Sequence, residues 1–202
     1  MPVVKLNTIE NSDETLMTAV AKGDPMALGV LYLRHNSAVR AMIGYVAPGM
    51  NRHDVDDVTQ EVFLSLGKSA KKYRHQSLFN AFLFRIATNR TRDWQRRAGL
   101  RFRLLSSNQS LTESAPDTQK TALPSQQTAL SQTVRQVMDS LSYPHREVLV
   151  LNVVAGFTCE EIATILCIRP KTVRTRLHRA RNAVLQHKHA PMWQAAISEK
   201  SP

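Results

Sequence analysis

The sequence predicts an all-α protein made of two small helical domains joined by a flexible linker, the C-terminal one a helix-turn-helix domain. Three observations predict it. Apolar residues recur at helical spacing on both sides of one interruption, and no stretch shows period-two alternation bounded by turns. The interruption, residues 104–130, reads LLSSNQSLTESAPDTQKTALPSQQTAL; it is rich in Ser, Thr and Gln, broken by Pro116 and Pro124, and free of aromatic residues. The expected division is therefore residues 1–103, a linker 104–130, residues 131–190 and a tail 191–202.

Composition supports a folded chain with a polyanionic partner. The 202 residues are 43% hydrophobic and 21% charged, which suits one ordinary domain or two small ones and excludes a large multidomain enzyme. Lys and Arg number 27 against 16 Asp and Glu, giving net +11 and a pI near 10.2, so nucleic acid and anionic membrane are the candidate partners. The longest uncharged apolar run, Val148 to Cys159, falls short of the roughly 18 residues of a spanning helix, so no membrane insertion is expected. The opening stretch MPVVKLNTIENSDET has no apolar segment of signal-peptide length, and the expected location is cytoplasmic. Cys159 and Cys167, with no CxxC pair, support neither a disulfide framework nor a zinc site.

Taken in order, Asp13 to Tyr45 carries Leu16, Val20, Leu28, Leu31, Val39 and Ile43 with a break at Gly23-Asp24-Pro25, which predicts two helices. A third helix is expected from Arg52, with Val55, Val58, Val62 and Leu66 as its apolar stripe. Beside that stripe Asp54, Asp57 and Glu61 form an acidic ridge on a basic protein. Solvation and the helix dipole are one explanation of it, an opposite-charge partner another. A fourth helix, Leu78 to about Arg97, buries Phe79, Phe82, Leu83, Ile86 and Ala87 on one side, while Phe84 projects from another beside Thr88 and Thr91. Arg85, Arg90, Arg92, Arg96, Arg97, Arg101 and Arg103 follow, opposed only by Asp93. Such a density of arginine repels itself unless it is solvated or faces phosphate.

The second domain carries the sharper pattern. Thr158 followed by Glu161 is a capping box that starts a helix with Ile162, Ala163, Ile165 and Leu166 turned inward. Cys167 and Ile168 make a short connection, and Pro170 suits the first turn of the next helix because its missing N–H costs nothing there. In that helix Val173, Leu177, Ala180 and Val184 share one face, leaving Lys171, Arg174, Thr175, His178, Arg179 and Asn182 on the other. An apolar back with a basic, hydrogen-bonding front suits a recognition helix in the major groove.

Three segments in this order resemble a bacterial sigma factor of the extracytoplasmic-function (ECF) group, the sigma-70 family's smallest RNA polymerase specificity subunits. DVDDVTQEVFLSL, Asp54 to Leu66, is similar to the family's polymerase-binding segment. FNAFLFRIATNRTRDWQRR, Phe79 to Arg97, resembles its strand-melting helix, which reads the promoter −10 element. FTCEEIATILCIRPKTVRTRLHRAR, Phe157 to Arg181, is similar to the segment reading the −35 element. The resemblance implies a region 2 domain over 1–103 and a region 4 domain over 131–190. It implies that Asp54, Asp57, Gln60 and Glu61 dock on core RNA polymerase. It also implies that Tyr73, His75, Asn80, Arg85, Arg92, Arg96 and Arg97 engage −10 DNA, and that Lys171, Arg174, Thr175, His178 and Arg179 engage −35 DNA. Promoter DNA, core polymerase and an anti-sigma protein are the implied partners, with no catalytic residue, cofactor or metal.

A linker of about 25 residues reaching on the order of 85 Å would let both domains engage separated elements at once. In the sequence Cys167 stands where such proteins often carry glycine, and KKYRHQS replaces the small, aromatic and acidic residues usual before the melting helix. Two other readings compete. A polymerase-independent regulator would bind its operator alone. A nuclease would need Asp54, Asp56, Asp57 and Glu61 to hold Mg2+, but helical spacing carries Asp56 away from the others and no substrate-facing base accompanies them. A metal sensor built on His178, His187, His189, Cys159 and Cys167 lacks tetrahedral ligand spacing.

Overall fold

The computed structural model describes residues 11–73, 78–108 and 134–186, and the described residues form helices and turns only. Local capping explains where the helices of the first domain start. Helix α1, Asp13–Ala21, begins where Ser12 accepts the Thr15 N–H at 3.2 Å. It ends at Gly23, whose φ of 94° reverses the chain at no steric cost. Asp24 then accepts the Met26 N–H at 2.8 Å and Pro25 opens α2, Pro25–Val46. Asn51 caps α3, Arg52–Ser69, by accepting the Asp54 N–H at 2.8 Å. A single 3-10 turn, Ala70–Lys72, leads toward α4, Phe79–Asn108. Leu16, Met17, Leu31, Met42, Ile43, Val62, Leu66 and Leu83 have no exposed surface and make the core of this domain.

In the second domain helical residues 134–140, here α5, precede α6, Tyr143–Val153, α7, Cys159–Leu166, and α8, Pro170–Gln186. Helix α6 is its hub. Residues 147–151 are all buried in succession, which is possible because α7, α8 and the first domain's α2 all pack on α6.

Two features differ from the sequence reading. Helix α4 continues to Asn108, so residues 104–108, read as the start of the linker, are helical: LLSSN contains neither Gly nor Pro to stop the preceding helix. The domains are also packed together, α4 against α7 and α2 against α6. Phe84, the aromatic that did not fit the first domain's own stripe, is buried at 4% exposure and meets Phe157 of the second domain edge to face, ring centroids 5.0 Å apart. Thr88 and Thr91 on the same flank are buried as well, their hydroxyls donating back to the carbonyls of Arg85 and Ala87.

Candidate nucleic-acid interface

The acidic ridge lies on α3 as its spacing predicts. Asp57 and Gln60 are exposed, and Asp54 and Glu61 are half-buried. Asp56 is turned aside and pairs with Arg40 of α2, so it does not join the ridge. One turn beyond Gln60 and Glu61, Leu64 is 61% exposed, an apolar side chain beside the carboxylates that the sequence analysis passed over. Its signal was available: it departs from the Val58–Val62–Leu66 stripe and falls on the ridge face.

Helix α4 runs alongside and carries the basic set. Asn80, Arg85, Arg96 and Arg97 are exposed. Arg97 reaches across to Glu61 at 3.3 Å, so the acidic and basic surfaces meet at an ion pair and two of the predicted sites adjoin. A groove of about 400 Å3 opens between α3 and α4, lined by Ser65, Ser69, Asn89, Arg90, Arg92 and Arg96. Arg90 donates from Nε to Ser65 Oγ at 3.0 Å on its wall. Tyr73 packs on Phe82 and Phe79, at 5.3 and 6.5 Å between ring centroids, next to exposed Asn80. Burial, then Glu14 and Asp13, push its phenol pKa up, so it stays a neutral hydroxyl. His75 lies outside the described residues.

Arg92 is placed differently from the other arginines. Its Nη2 donates to Glu147 Oε1 of α6 at 2.8 Å, and the Tyr143 hydroxyl donates to the same oxygen at 3.1 Å. Glu147 is 2% exposed, and burial raises its carboxyl pKa although Arg92, the Tyr143 hydrogen bond and Arg176 act to lower it. Nearby, Arg146 donates from Nη1 to the carbonyl of Val46, the last residue of α2, and from Nη2 to that of Leu141. None of Glu147, Arg146 or Phe157 was among the predicted site residues. Their partners lie far away in the chain, and no local spacing reveals such a pairing.

The helix-turn-helix has the predicted parts. Thr158 Oγ1 accepts the Glu161 N–H, and Glu161 Oε2 accepts the Thr158 N–H at 2.8 Å, so both arms of the capping box form. Cys167 takes the left-handed conformation, φ 54°, and its N–H and that of Ile168 both donate to the Ala163 carbonyl. Val173, Leu177, Ala180 and Val184 are buried behind α8. Lys171, Arg174, Thr175, His178 and Arg179 are all exposed in front. Arg174 pairs with Glu160 of α7, and Asn182 bonds His178 at 3.1 Å. Another cation of this basic run turns toward the protein: Arg181 donates to Asn152 Oδ1 at 3.1 Å.

Among the described residues no three His, Cys, Asp or Glu side chains gather as a metal site, and no helix is long and apolar enough to cross a membrane.

Comparison with known proteins identifies the family. The sigma-70 region 2 family matches residues 31–101, and the sigma-70 region 4 family matches residues 131–184. The chain is 30% identical over 173 residues to RNA polymerase sigma factor NccH of Alcaligenes xylosoxydans xylosoxydans, spanning 84% of this chain and 90% of that protein. It is 31% identical over 182 residues to the ECF RNA polymerase sigma-E factor of Escherichia coli, spanning 86% and 92%. In three dimensions it is similar to CnrH in the structure of CnrH with the cytosolic domain of CnrY, with TM-score 0.66, 25% identity, and coverage of 95% of this chain and 100% of that one. The fold is also shared with the sigma factor RpoE in complex with the anti-sigma factor NepR from Bartonella quintana, with TM-score 0.59, 24% identity, and coverage of 77% and 92%.

Proposed function

The chain belongs to the sigma-70 family as an ECF RNA polymerase sigma factor, a regulatory factor of promoter-specific transcription initiation, and we propose on that footing how its surfaces divide the work. Core RNA polymerase docks on α3, where Asp54, Asp57, Gln60 and Glu61 meet a basic surface of the enzyme and Leu64 adds apolar contact at their centre. The exposed front of α8 enters the −35 major groove, with Lys171, Arg174, Thr175, His178 and Arg179 dividing base edges and phosphates between them.

At the −10 element α4 holds the non-template strand. Arg85, Arg92, Arg96 and Arg97 take its phosphates, while Asn80, Tyr73 and His75 receive an extruded base as the duplex opens. The polymerase performs the chemistry, and this chain supplies choice and opening of the start site. The anti-sigma factor NepR bound to RpoE, and the cytosolic domain of CnrY bound to CnrH, support an anti-sigma partner for this chain too. A region 2 domain over 1–103 and a region 4 domain over 131–190, joined by 104–130, complete the reading.

The observation that carries it is the division of charge within one small basic molecule. Asp54, Asp57 and Glu61 share one ridge of α3, and all five −35 candidates stand exposed over a buried apolar back. Co-purification with core polymerase tests the docking face. Asp57→Lys with Glu61→Lys should cut retention of core at least about tenfold, as loss of a few close charge pairs does elsewhere. Retention equal to that of the unmodified chain would show that α3 is not the docking face.

A further inference from the structure

Of the arginines on α4, Arg92 is held by a carboxylate of the other domain, and the way it is held resembles the way it would hold DNA. Glu147 offers Arg92 a carboxylate oxygen at 2.8 Å, and a guanidinium receives carboxylate and phosphate oxygens through the same N–H groups. The contact is not an isolated surface pair. Glu147 is buried, Tyr143 donates to the same oxygen, and Phe157 lies edge-on against Phe84 one helical flank away. Arg146 fastens α6 to the C-terminal carbonyl of α2, so three separate contacts set the register of one domain on the other.

The seam is also one-sided. It covers the Phe84–Thr88–Thr91 flank of α4 and occupies Arg92, yet leaves every −35 candidate on α8 exposed.

We propose that the free chain is held shut by an interdomain latch, in which Glu147 holds Arg92 in place of a DNA phosphate and Phe157 covers the Phe84 flank of α4. Arg92 and the Phe84 flank of α4 are then released only when the domains part. The aromatic contact supplies the attraction. The half-buried ion pair, whose desolvation offsets much of its Coulomb energy, supplies register and makes closure compete with DNA. Because both halves lie on one chain, a seam too small for a stable complex between separate proteins still suffices. The consequence for DNA rests on the reading of α4 given above; the closure does not.

Two measurements separate them. In the full chain with Cys159→Ser and Cys167→Ser, dyes on Lys68→Cys and Ala183→Cys, both exposed positions, report the distance between the domains by energy transfer. Arg92→Glu should lengthen it, and adding Glu147→Arg to that variant should bring it back, far-UV circular dichroism confirming intact helices in each. An Arg92→Glu chain with the unmodified distance, or a charge-swapped chain that stays long, overturns the latch. Phe84→Ala should lengthen the distance too and raise affinity for single-stranded oligo-dT by about tenfold, if the competent fraction rises from about a tenth to nearly all. A longer distance with unchanged oligo-dT affinity would leave the latch standing and remove α4 from the DNA-binding surface.

Discussion

Glu147 shows how a single residue can couple the fold to solution conditions. Its carboxyl pKa is raised, first by burial, against the lowering effect of Arg92 on α4, the Tyr143 hydrogen bond on α6 and Arg176 on α8. Unfolding returns the group to water and to its ordinary carboxylate range, so the folded chain binds the proton more tightly. Protonation of Glu147 adds to stability at low pH, and that contribution is lost as pH rises through the raised pKa. The thermal midpoint of the unmodified chain should fall relative to that of Glu147→Gln as pH rises across that interval; a midpoint that rises instead contradicts the assignment. Legibility at this scale was uneven. Phe84 announced itself because helical spacing set it off the core stripe, and the buried flank explains why. Glu147 gave no such signal, since a carboxylate before an apolar run reads as a solvated helix position until Arg92, 55 residues earlier, is seen to meet it.

Elements were legible where local chemistry decides them. The helix starts at Pro25, Arg52, Cys159 and Pro170 follow from capping side chains and from proline, all of which act within a few residues. Thr158→Ala removes one arm of the capping box and leaves the Glu161 N–H without its acceptor. The second domain should lose about 1 kcal/mol, read as a lower thermal midpoint, and −35 duplex binding should weaken only through that loss. An unchanged midpoint would mean that tertiary packing alone sets the start of α7. The end of α4 was less legible: Ser-rich composition marked residues 104–108 as linker, yet without Gly or Pro the helix simply continues. The turn at Cys167 answers the question that its side chain posed. The backbone adopts the left-handed conformation usually given to glycine, so the helix-turn-helix keeps its geometry with a residue that tolerates it less well.

For the whole molecule, periodicity and composition showed two helical domains but not their contact. Sequence patterns report which face of a helix is apolar, and both halves of the seam are small: one aromatic pair, one buried carboxylate and one arginine on a helix end. Charge organisation was the better guide to function. An acidic ridge on a net +11 chain and a basic front on α8 suited two different partners, and family membership supplies an assembly that has both. The most direct test of this division of labour is to map the 5′ ends of transcripts made on genomic DNA by core RNA polymerase with and without the purified chain. The account predicts a restricted new set of start sites that share paired −35 and −10 elements and are lost with Asp57→Lys and Glu61→Lys; start sites identical with and without the chain would contradict it.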